Sequence, residues 1–350
     1  MKLGIFLPNW IGDVAMATPT LRALRRHFGD AELIGILRPY VADVLAGTPW
    51  LDRTILYDPR SHQPHERGWP LVRQLRQARL DTAILLTNSL RTGLLAWASG
   101  ARERIGYVRG ARGPLLSRKL YPSRQHGKFV PTPALDYFLD LAYAAGCPPE
   151  SPRLELATTA EDDERADRVW SRLGLPEGRE VIALNSGGAF GAAKLWPTEY
   201  FAVLARRIAT ELDRQVLVLC GPSERLLAKQ IVADAGHPGV CSLADEQLGI
   251  GLTKACIRRS RLLVTTDSGP RHFAAAFDVP TITLFGPTHI QWSENHHPLA
   301  VHIQLKLDCS PCQRRICPLG HHACMRNLAP EQVFRAVAEE LTSKPDCKVA

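Results

Sequence analysis

Leu262-Leu-Val-Thr-Thr-Asp-Ser-Gly-Pro-Arg-His-Phe-Ala-Ala-Ala276 is the stretch that decides the fold. Its apolar run, Leu262 to Val264, is short and reads as a buried strand. A polar turn follows, and Pro270 opens a helix that carries Ala274 to Ala276. Strand, polar turn and helix in immediate succession form the repeating unit of an α/β protein. Working outward, the same alternation recurs. Glu180–Leu184 reads as a strand, Thr198–Thr210 as a helix, Gln215–Leu219 as a strand and Arg225–Ala235 as a helix. Arg261–Val264, Pro270–Phe277 and Thr281–Phe285 continue as strand, helix and strand.

The first half follows the same rule. Leu3-Gly-Ile-Phe-Leu7, bounded by Pro8, predicts a buried strand, and Val14–Phe28 a helix ending at Gly29. Ala31–Leu37, Asp52–Tyr57 and Leu80–Leu86 read as further strands. Val41–Leu45 and Leu71–Gln77 read as helices. The Pro-rich stretch Pro148–Pro152 marks a linker. These patterns predict two doubly wound domains, 1–150 and 151–350, each a parallel sheet with helices on both faces. Ligand sites then lie at the carboxyl ends of the strands.

Composition narrows the function. The chain has 350 residues, 45% of them hydrophobic and 22% charged. That is ordinary globular composition, which argues against disordered, collagen-like and coiled-coil chains. No run approaches the ~18 apolar residues of a spanning helix. Pro8 and Asp13 interrupt the apolar N-terminus before a signal-peptide core forms, so a cytoplasmic protein is expected. The net charge of +8 is unevenly placed. Residues 1–150 hold 20 Lys and Arg against 12 Asp and Glu, whereas residues 151–350 hold 23 of each. Between Arg91 and Lys128 basic residues face Glu103 alone, in a segment whose glycines and prolines suggest loop. Such a stretch suits an anionic partner: anionic lipid, a phosphorylated glycan or, less well for want of interleaved aromatics and known motifs, nucleic acid. A solubilising arginine-rich face is the plainer alternative.

Three loops in the second half carry polar chemistry. In Thr265-Thr-Asp-Ser-Gly-Pro-Arg-His272, Thr266, Ser268 and the Gly269 amide are donors for phosphate oxygens at a helix start. Asp267 either joins them or caps the helix, and His272 lies one turn further on. Asn185-Ser-Gly-Gly188 and the residues up to Lys194-Leu-Trp-Pro197 form a glycine-rich loop with a lysine point charge. Ser186 and Gly187 lie where backbone approaches a ligand closely. Gly221-Pro-Ser-Glu224 places Glu224 where it accepts from ribose hydroxyls or simply caps the next helix. Together these loops look like a nucleotide-diphosphate site. In the first half, Asp13 follows Gly12 at the carboxyl edge of the first strand, a place for a base or a helix cap. The fingerprints of dinucleotide-binding enzymes and P-loop NTPases are absent.

Nine cysteines are many for a cytosolic enzyme. Cys309, Cys312, Cys317 and Cys324 fall in one run, with His321 and His322 beside them. The run admits a four-thiolate metal site, a disulfide or redox pair, or free thiols packing a C-terminal loop.

Nearly end to end, the chain resembles the lipopolysaccharide heptosyltransferases, most closely the heptosyltransferase II branch. The resemblance is carried by Trp10-Ile-Gly-Asp13, Thr87-Asn-Ser89, Arg104-Ile-Gly-Tyr107 and Phe190-Gly-Ala-Ala-Lys194-Leu-Trp-Pro197. Thr266-Asp-Ser-Gly269, His272-Phe-Ala-Ala-Ala276 and Phe285-Gly-Pro-Thr288 complete it. It implies a GT-B fold, two Rossmann-like domains facing across a cleft, with the acceptor on the N-terminal domain and ADP-heptose on the C-terminal one. It implies an inverting transfer of heptose to the lipid A–core acceptor without metal or other cofactor. A monomer at the cytosolic face of the inner membrane, with no nucleic-acid partner, fits that activity. Asp13 matches the catalytic base. Lys194, Asp267, Ser268, Gly269 and His272 match nucleotide-sugar positions, to which Ser186, Gly187, Glu224 and Thr266 are added. Asn88, Ser89, Arg91, Arg104 and Arg109 are expected to hold the acceptor. Ala189 departs from the pattern, which often has glutamate there. An inactive GT-B sugar-nucleotide-binding protein and a GT-B epimerase are the alternatives. The intact Asp13, Lys194, Asp267 and His272 favour the transferase, and no second acid/base pair for an epimerase is evident.

Overall fold

A computed structural model of the chain describes residues 1–178, 180–188 and 191–343. It contains two compact units. The first takes Met1–Ala157 and Gln291–His296, and the second takes Thr158–Ile290 and the chain from His297 onward.

In the first unit, β1 (Lys2–Phe6), β2 (Glu32–Leu37), β3 (Arg53–Leu56), β4 (Thr82–Leu85), β5 (Glu103–Tyr107) and β6 (Arg118–Leu120) form a sheet in the order 3-2-1-4-5-6, all pairs parallel. A small antiparallel hairpin follows, β7 (Arg124–Gln125) with β8 (Lys128–Phe129). Helices α1 (Ile11–Met16), α2 (Thr18–His27), α3 (Gly68–Ala78), α4 (Leu90–Ala98) and α5 (Ala134–Ala144) cover the sheet. The second unit repeats the order with β9 (Ile182–Asn185), β10 (Val216–Leu219), β11 (Val240–Ser242), β12 (Leu262–Thr266), β13 (Thr281–Phe285) and β14 (Ala300–Gln304), arranged 11-10-9-12-13-14 and parallel throughout. Its helices are α6 (Ala160–Leu173), α7 (Thr198–Glu211), α8 (Arg225–Ala235), α9 (Ile250–Arg259), α10 (Pro270–Ala276), α11 (Ala323–Arg326) and α12 (Pro330–Ser343). Every residue of β9, β10, β12 and β13 is buried. Burial on both faces is why β10 and the start of β12 read as unbroken apolar runs rather than alternating ones.

Several details differ from the sequence expectation. The helix read over Val14–Phe28 is two helices. The helix is interrupted at Ala17, and Pro19, which cannot donate an amide, sits in the first turn of α2. Asp13 therefore stands in the first turn of α1. The basic stretch is not mainly loop: it holds α4, β5 and β6. Ile105, Gly106 and Tyr107 are buried in the sheet. The first unit also extends past Pro148–Pro152 to Ala157. Arg22, 3% exposed, is the reason. Its guanidinium donates to the Ser151 carbonyl at 2.7 Å, the Arg153 carbonyl at 3.0 Å and the Glu155 carboxylate at 2.8 Å, which binds that stretch to α2.

Candidate active site

In the second unit the carboxyl ends of β9 and β12 lie side by side. Asn185, the last residue of β9, spans the gap: its amide donates to Thr265 Oγ1 and to Ser268 Oγ, both at 3.0 Å. Thr266 Oγ1 donates to the Gly187 carbonyl at 2.8 Å. The glycine-rich loop and the β12–α10 turn are thus tied by side chains. Glu224 joins them from the third loop. Its carboxylate accepts from the Gly221 amide at 2.8 Å and lies where a Gly187 side chain would otherwise project. Gly187 is needed for that close approach. Ser186 Oγ is buried and has no hydrogen-bond partner among the described residues. A buried hydroxyl left unsatisfied in this way points to a bound group that would complete it.

At the centre is a buried ion pair. Lys194 Nζ lies 2.6 Å from Asp267 Oδ2 and 2.9 Å from the Asp267 carbonyl. Thr288 Oγ1 donates to the same carboxylate oxygen at 2.7 Å, and Arg271 lies 3.5 Å from the other. Burial opposes the charged form of Asp267, but the Lys194 and Arg271 charges and these hydrogen bonds outweigh it. The carboxyl is held well below the usual carboxylate range. His272 goes the opposite way. Burial, with the Arg271 charge beside it, pushes its pKa well below the ordinary imidazole value, so it is neutral near pH 7. It offers a hydrogen bond to this site, not a second cation. Trp196, in the Lys194–Pro197 motif, has a structural role: its indole donates to the Leu328 carbonyl at 2.8 Å and its ring meets Phe201 edge to face. Ala189 and Phe190 lie outside the described residues.

The first unit holds a cavity of about 310 Å³ at the carboxyl ends of β1, β4 and β5. Asp13, Asn88, Ser89 and Arg109 line it, as do Trp10, Tyr107, Tyr121, Phe129, Tyr137 and Trp292. Tyr107 stacks on Tyr137 at 3.6 Å and donates to Asp140 at 2.7 Å. Tyr137 donates to Asn88 Oδ1 at 3.0 Å. Burial first, and the Asp140 carboxylate next, keep the Tyr107 phenol protonated. Arg109 lies 4.1 Å over the Phe129 ring. Apolar faces edged by fixed polar groups are what a carbohydrate needs, since a sugar presents C–H patches and a rim of hydroxyls.

Two expected acceptor residues lie elsewhere. Arg104 spends its guanidinium on the Leu115 carbonyl at 2.6 Å and the Ala101 carbonyl at 2.5 Å. Arg91 is exposed on α4 and does not line the cavity. Arg112, which nothing in the sequence set apart from its basic neighbours, is fully buried. It donates to Asn88 Oδ1 at 3.2 Å, to the Tyr107 carbonyl at 3.0 Å and to the Thr87 carbonyl, and burial pulls its pKa down to about 10. It positions Asn88. Arg271, Thr288, Tyr137, Asp140 and Trp292 were also missed as site residues. The polar residues of Phe285–Thr288 and α10 were visible as motif members, but only their placement assigns them to Asp267.

Cys309, Cys312, Cys317 and Cys324 are free thiols, and among the described residues no group of three His, Cys, Asp or Glu is arranged to hold a metal ion. Their loop braces the polar loops of the second unit. The Gln313 amide donates to the Pro287 carbonyl at 2.8 Å, Ser310 Oγ to the Gly286 carbonyl at 2.7 Å, and the Ala193 amide to the Arg315 carbonyl at 3.0 Å. Cys347 lies outside the described residues.

Known proteins with this chain's features were found by sequence and by fold. A lipooligosaccharide heptosyltransferase 2 of Campylobacter jejuni is 26% identical over 95% of this chain and 96% of its own length. A glycosyl transferase family 9 structure from Veillonella parvula superposes with a TM-score of 0.81 at 22% identity, over 98% of this chain and 97% of that one. The structure of the E. coli ADP-heptose LPS heptosyltransferase II gives 0.77 at 22% identity, over 98% and 99%. The fold class is that of these GT-B enzymes. Residues 69–323 match glycosyltransferase family 9 (heptosyltransferase), and the chain belongs to that family.

Proposed function

We propose that this glycosyltransferase moves heptose from ADP-heptose to the inner core of lipopolysaccharide, with inversion at the anomeric carbon and without a metal ion. The first unit takes the acceptor and the second takes the nucleotide sugar. The observation that carries the reading is the half-buried Asp13 carboxylate, in the first turn of α1, opening on the aromatic cavity with Asn88, Ser89 and Arg109. A carboxylate facing a sugar-sized cavity is placed to act as a general base.

In this reading Asp13 accepts the proton of an acceptor hydroxyl as that oxygen bonds to C1 of the heptose. The bond from C1 to the β-phosphate oxygen breaks, and its electron pair leaves on ADP. Attack opposite the leaving group inverts C1. Lys194 and the amides at the start of α10 stabilise the charge that accumulates on the diphosphate, the role a divalent cation has in other transferases. Ser186 Oγ gains a partner from the donor, and Glu224 accepts from its hydroxyls. Stacking in the cavity orients the acceptor, and Arg109 meets its phosphates or carboxylates. The enzyme works as a monomer, and because its acceptor is lipid-linked it works at the cytosolic face of the inner membrane.

The test is incubation with ADP-heptose and a series of truncated core acceptors, with products weighed and the new anomeric linkage assigned by NMR. One added heptose, with inverted configuration and unchanged rate in excess EDTA, is expected. Release of free heptose or an epimerised donor, without transfer, overturns the reading.

A further inference from the structure

The outer surface of α3 and α4 carries exposed apolar side chains beside a run of arginines. Helix α4 carries Leu90, Leu94 and Trp97, 44%, 46% and 58% exposed. Their spacing of four and three residues puts them on one stripe, while Thr92, Gly93 and Ala96 pack inward. A helix that turns its larger apolar side chains to water needs a partner to cover them. Beside it, α3 buries Leu71, Leu75 and Ala78 and exposes Trp69, 64% exposed, with Arg73 and Arg76. The two helices are joined: Arg76 Nε donates to the Ala98 carbonyl at 2.9 Å, and the same guanidinium lies 5.4 Å over the Trp69 ring.

Arginines dominate the charge of this surface. From Arg67 to Arg79 and from Ser89 to Arg102 there is no aspartate or glutamate. The groove along α3 is lined by Lys2, Trp69, Arg73, Arg76, Gln77 and Arg79. The Glu32 carboxylate near Lys2 is already engaged by Lys2 and Arg53. A second copy of the chain would bring these arginines against their own kind. An anionic surface with an apolar interior answers both features, since Trp and Leu enter the headgroup boundary while arginines meet phosphates.

We infer that α3 and α4 form a docking face for an anionic lipid bilayer. The inference deepens the proposed function, in which the acceptor is lipid-linked, although the face itself is argued from exposure and charge alone. Helix α4 connects the two. Its N-cap Ser89 accepts from the Thr92 amide and lines the acceptor cavity with Asn88, while Trp97 lies two turns on. The stripe therefore runs the length of α4, about 13 Å, with the cavity at the Ser89 end of the helix and Trp97 at the other. An acceptor held in the bilayer by its lipid chains would present its sugars to the cavity without leaving the membrane.

Flotation of the purified protein with vesicles of phosphatidylcholine and phosphatidylglycerol tests this. The wild-type protein is expected to float with the mixed vesicles, less so at high salt, and to stay behind with phosphatidylcholine alone. Leu94→Glu with Trp97→Glu should lower the bound fraction about tenfold. Its melting temperature and its turnover of a delipidated, water-soluble core acceptor should be unchanged. Trp69→Ala with Arg73→Gln probes the same face should the first pair fail to fold. Wild-type protein that ignores anionic vesicles, or folded variants that bind like wild type, would overturn the inference. So would a wild-type dimer that the variants dissociate with vesicle binding intact, since a second copy would then cover the face. The assay needs no donor and no turnover, so a failed transfer reaction faults the proposed activity and leaves this result standing.

Discussion

In the proposed function the two units solve different binding problems on one scaffold. Both sheets run 3-2-1-4-5-6 in their own numbering, so β1 corresponds to β9 and β4 to β12. Both place their candidate residues at the carboxyl ends of those two strands, where strand order reverses. Yet the second unit buries its charges, with Lys194, Asp267 and Arg271 all under 10% exposed. The first keeps Asp13 half-buried among rings, hydrogen-bonds Tyr137 to Asn88 and Tyr107 to Asp140, and spends the buried Arg112 on Asn88 and backbone carbonyls. A nucleotide diphosphate carries fixed charge and is matched by preorganised charge in a low dielectric. A sugar ring is amphipathic and, in the proposed function, is matched by ring faces and aimed hydrogen bonds, with Arg109 for the acidic groups of the acceptor. The topology sets where ligands sit, while three or four loop residues after each strand set which chemistry is done.

Substitutions in the two units should therefore separate. The largest effect is expected from Asp13→Asn, which keeps shape and removes the base. Turnover should fall by about 10²–10⁴-fold while ADP affinity holds, as read by steady-state kinetics and calorimetry. An equal loss of ADP affinity would erase the distinction between the units. Next is Lys194→Met. Removing one partner of a buried pair costs about 3–5 kcal/mol, and the remaining Arg271 and Thr288 contacts place this case at the lower end. Denaturant unfolding should show the loss, with hydrogen exchange slow as before across β1 and β4. Asn88→Ala is smaller. It strips Tyr137 and Arg112 of an acceptor, so about 1–3 kcal/mol of stability should go and the acceptor KM should rise, with the donor KM unchanged.

Acid sensitivity should belong to the second unit. The unfolded chain protonates His272 below its ordinary value of 6.5, and the folded chain does so only well below it. Folded stability then falls as pH drops, by up to about 1.4 kcal/mol per pH unit from this group. Asp267 acts lower. Its folded pKa is depressed, so its contribution is complete above the ordinary value of 3.8 and is lost as pH falls through the folded value. In His272→Gln, urea titrations between pH 4 and 6.5 should show the flatter slope; an unchanged slope would remove His272 from the account. The smallest effects should distinguish two arginines that look alike in sequence. Arg109→Ala should weaken acceptor binding by about 1 kcal/mol, in a salt-dependent way, through its lost charge and its contact with Phe129. Arg104→Ala should shift melting temperature instead, because its guanidinium serves two backbone carbonyls.

The donor side was more legible than the acceptor side. Thr265–His272 announces itself because its polar residues are consecutive, so one turn carries the whole pattern. The acceptor cavity draws on α1, β4, β5, the β7–β8 hairpin, α5 and the segment Gln291–His296. Its aromatic residues are scattered over nearly the whole chain, and each alone looks like core. The basic stretch was legible as charge but not as placement. Among its arginines, Arg109 reaches the cavity, Arg91 lies on the outer surface of α4, and Arg104 and Arg112 hold backbone.

What the sequence determined by itself is what local pattern determines. Apolar runs of four or five residues ending in polar turns made the parallel strands, and the alternation with amphipathic helices made the two sheets. The polar turn after each strand named Asp13, Lys194 and Asp267, because strand ends are where a doubly wound sheet opens. Only the tertiary structure decided which charges were spent and which were left for a ligand. Burial and neighbours hold Asp267 ionised and His272 neutral, although both belong to one eight-residue motif. The same physics assigned Trp292 to the first unit although it lies far along the chain, between two stretches of the second. Long-range packing and the loss of solvent set these states, and no spacing in the sequence records either.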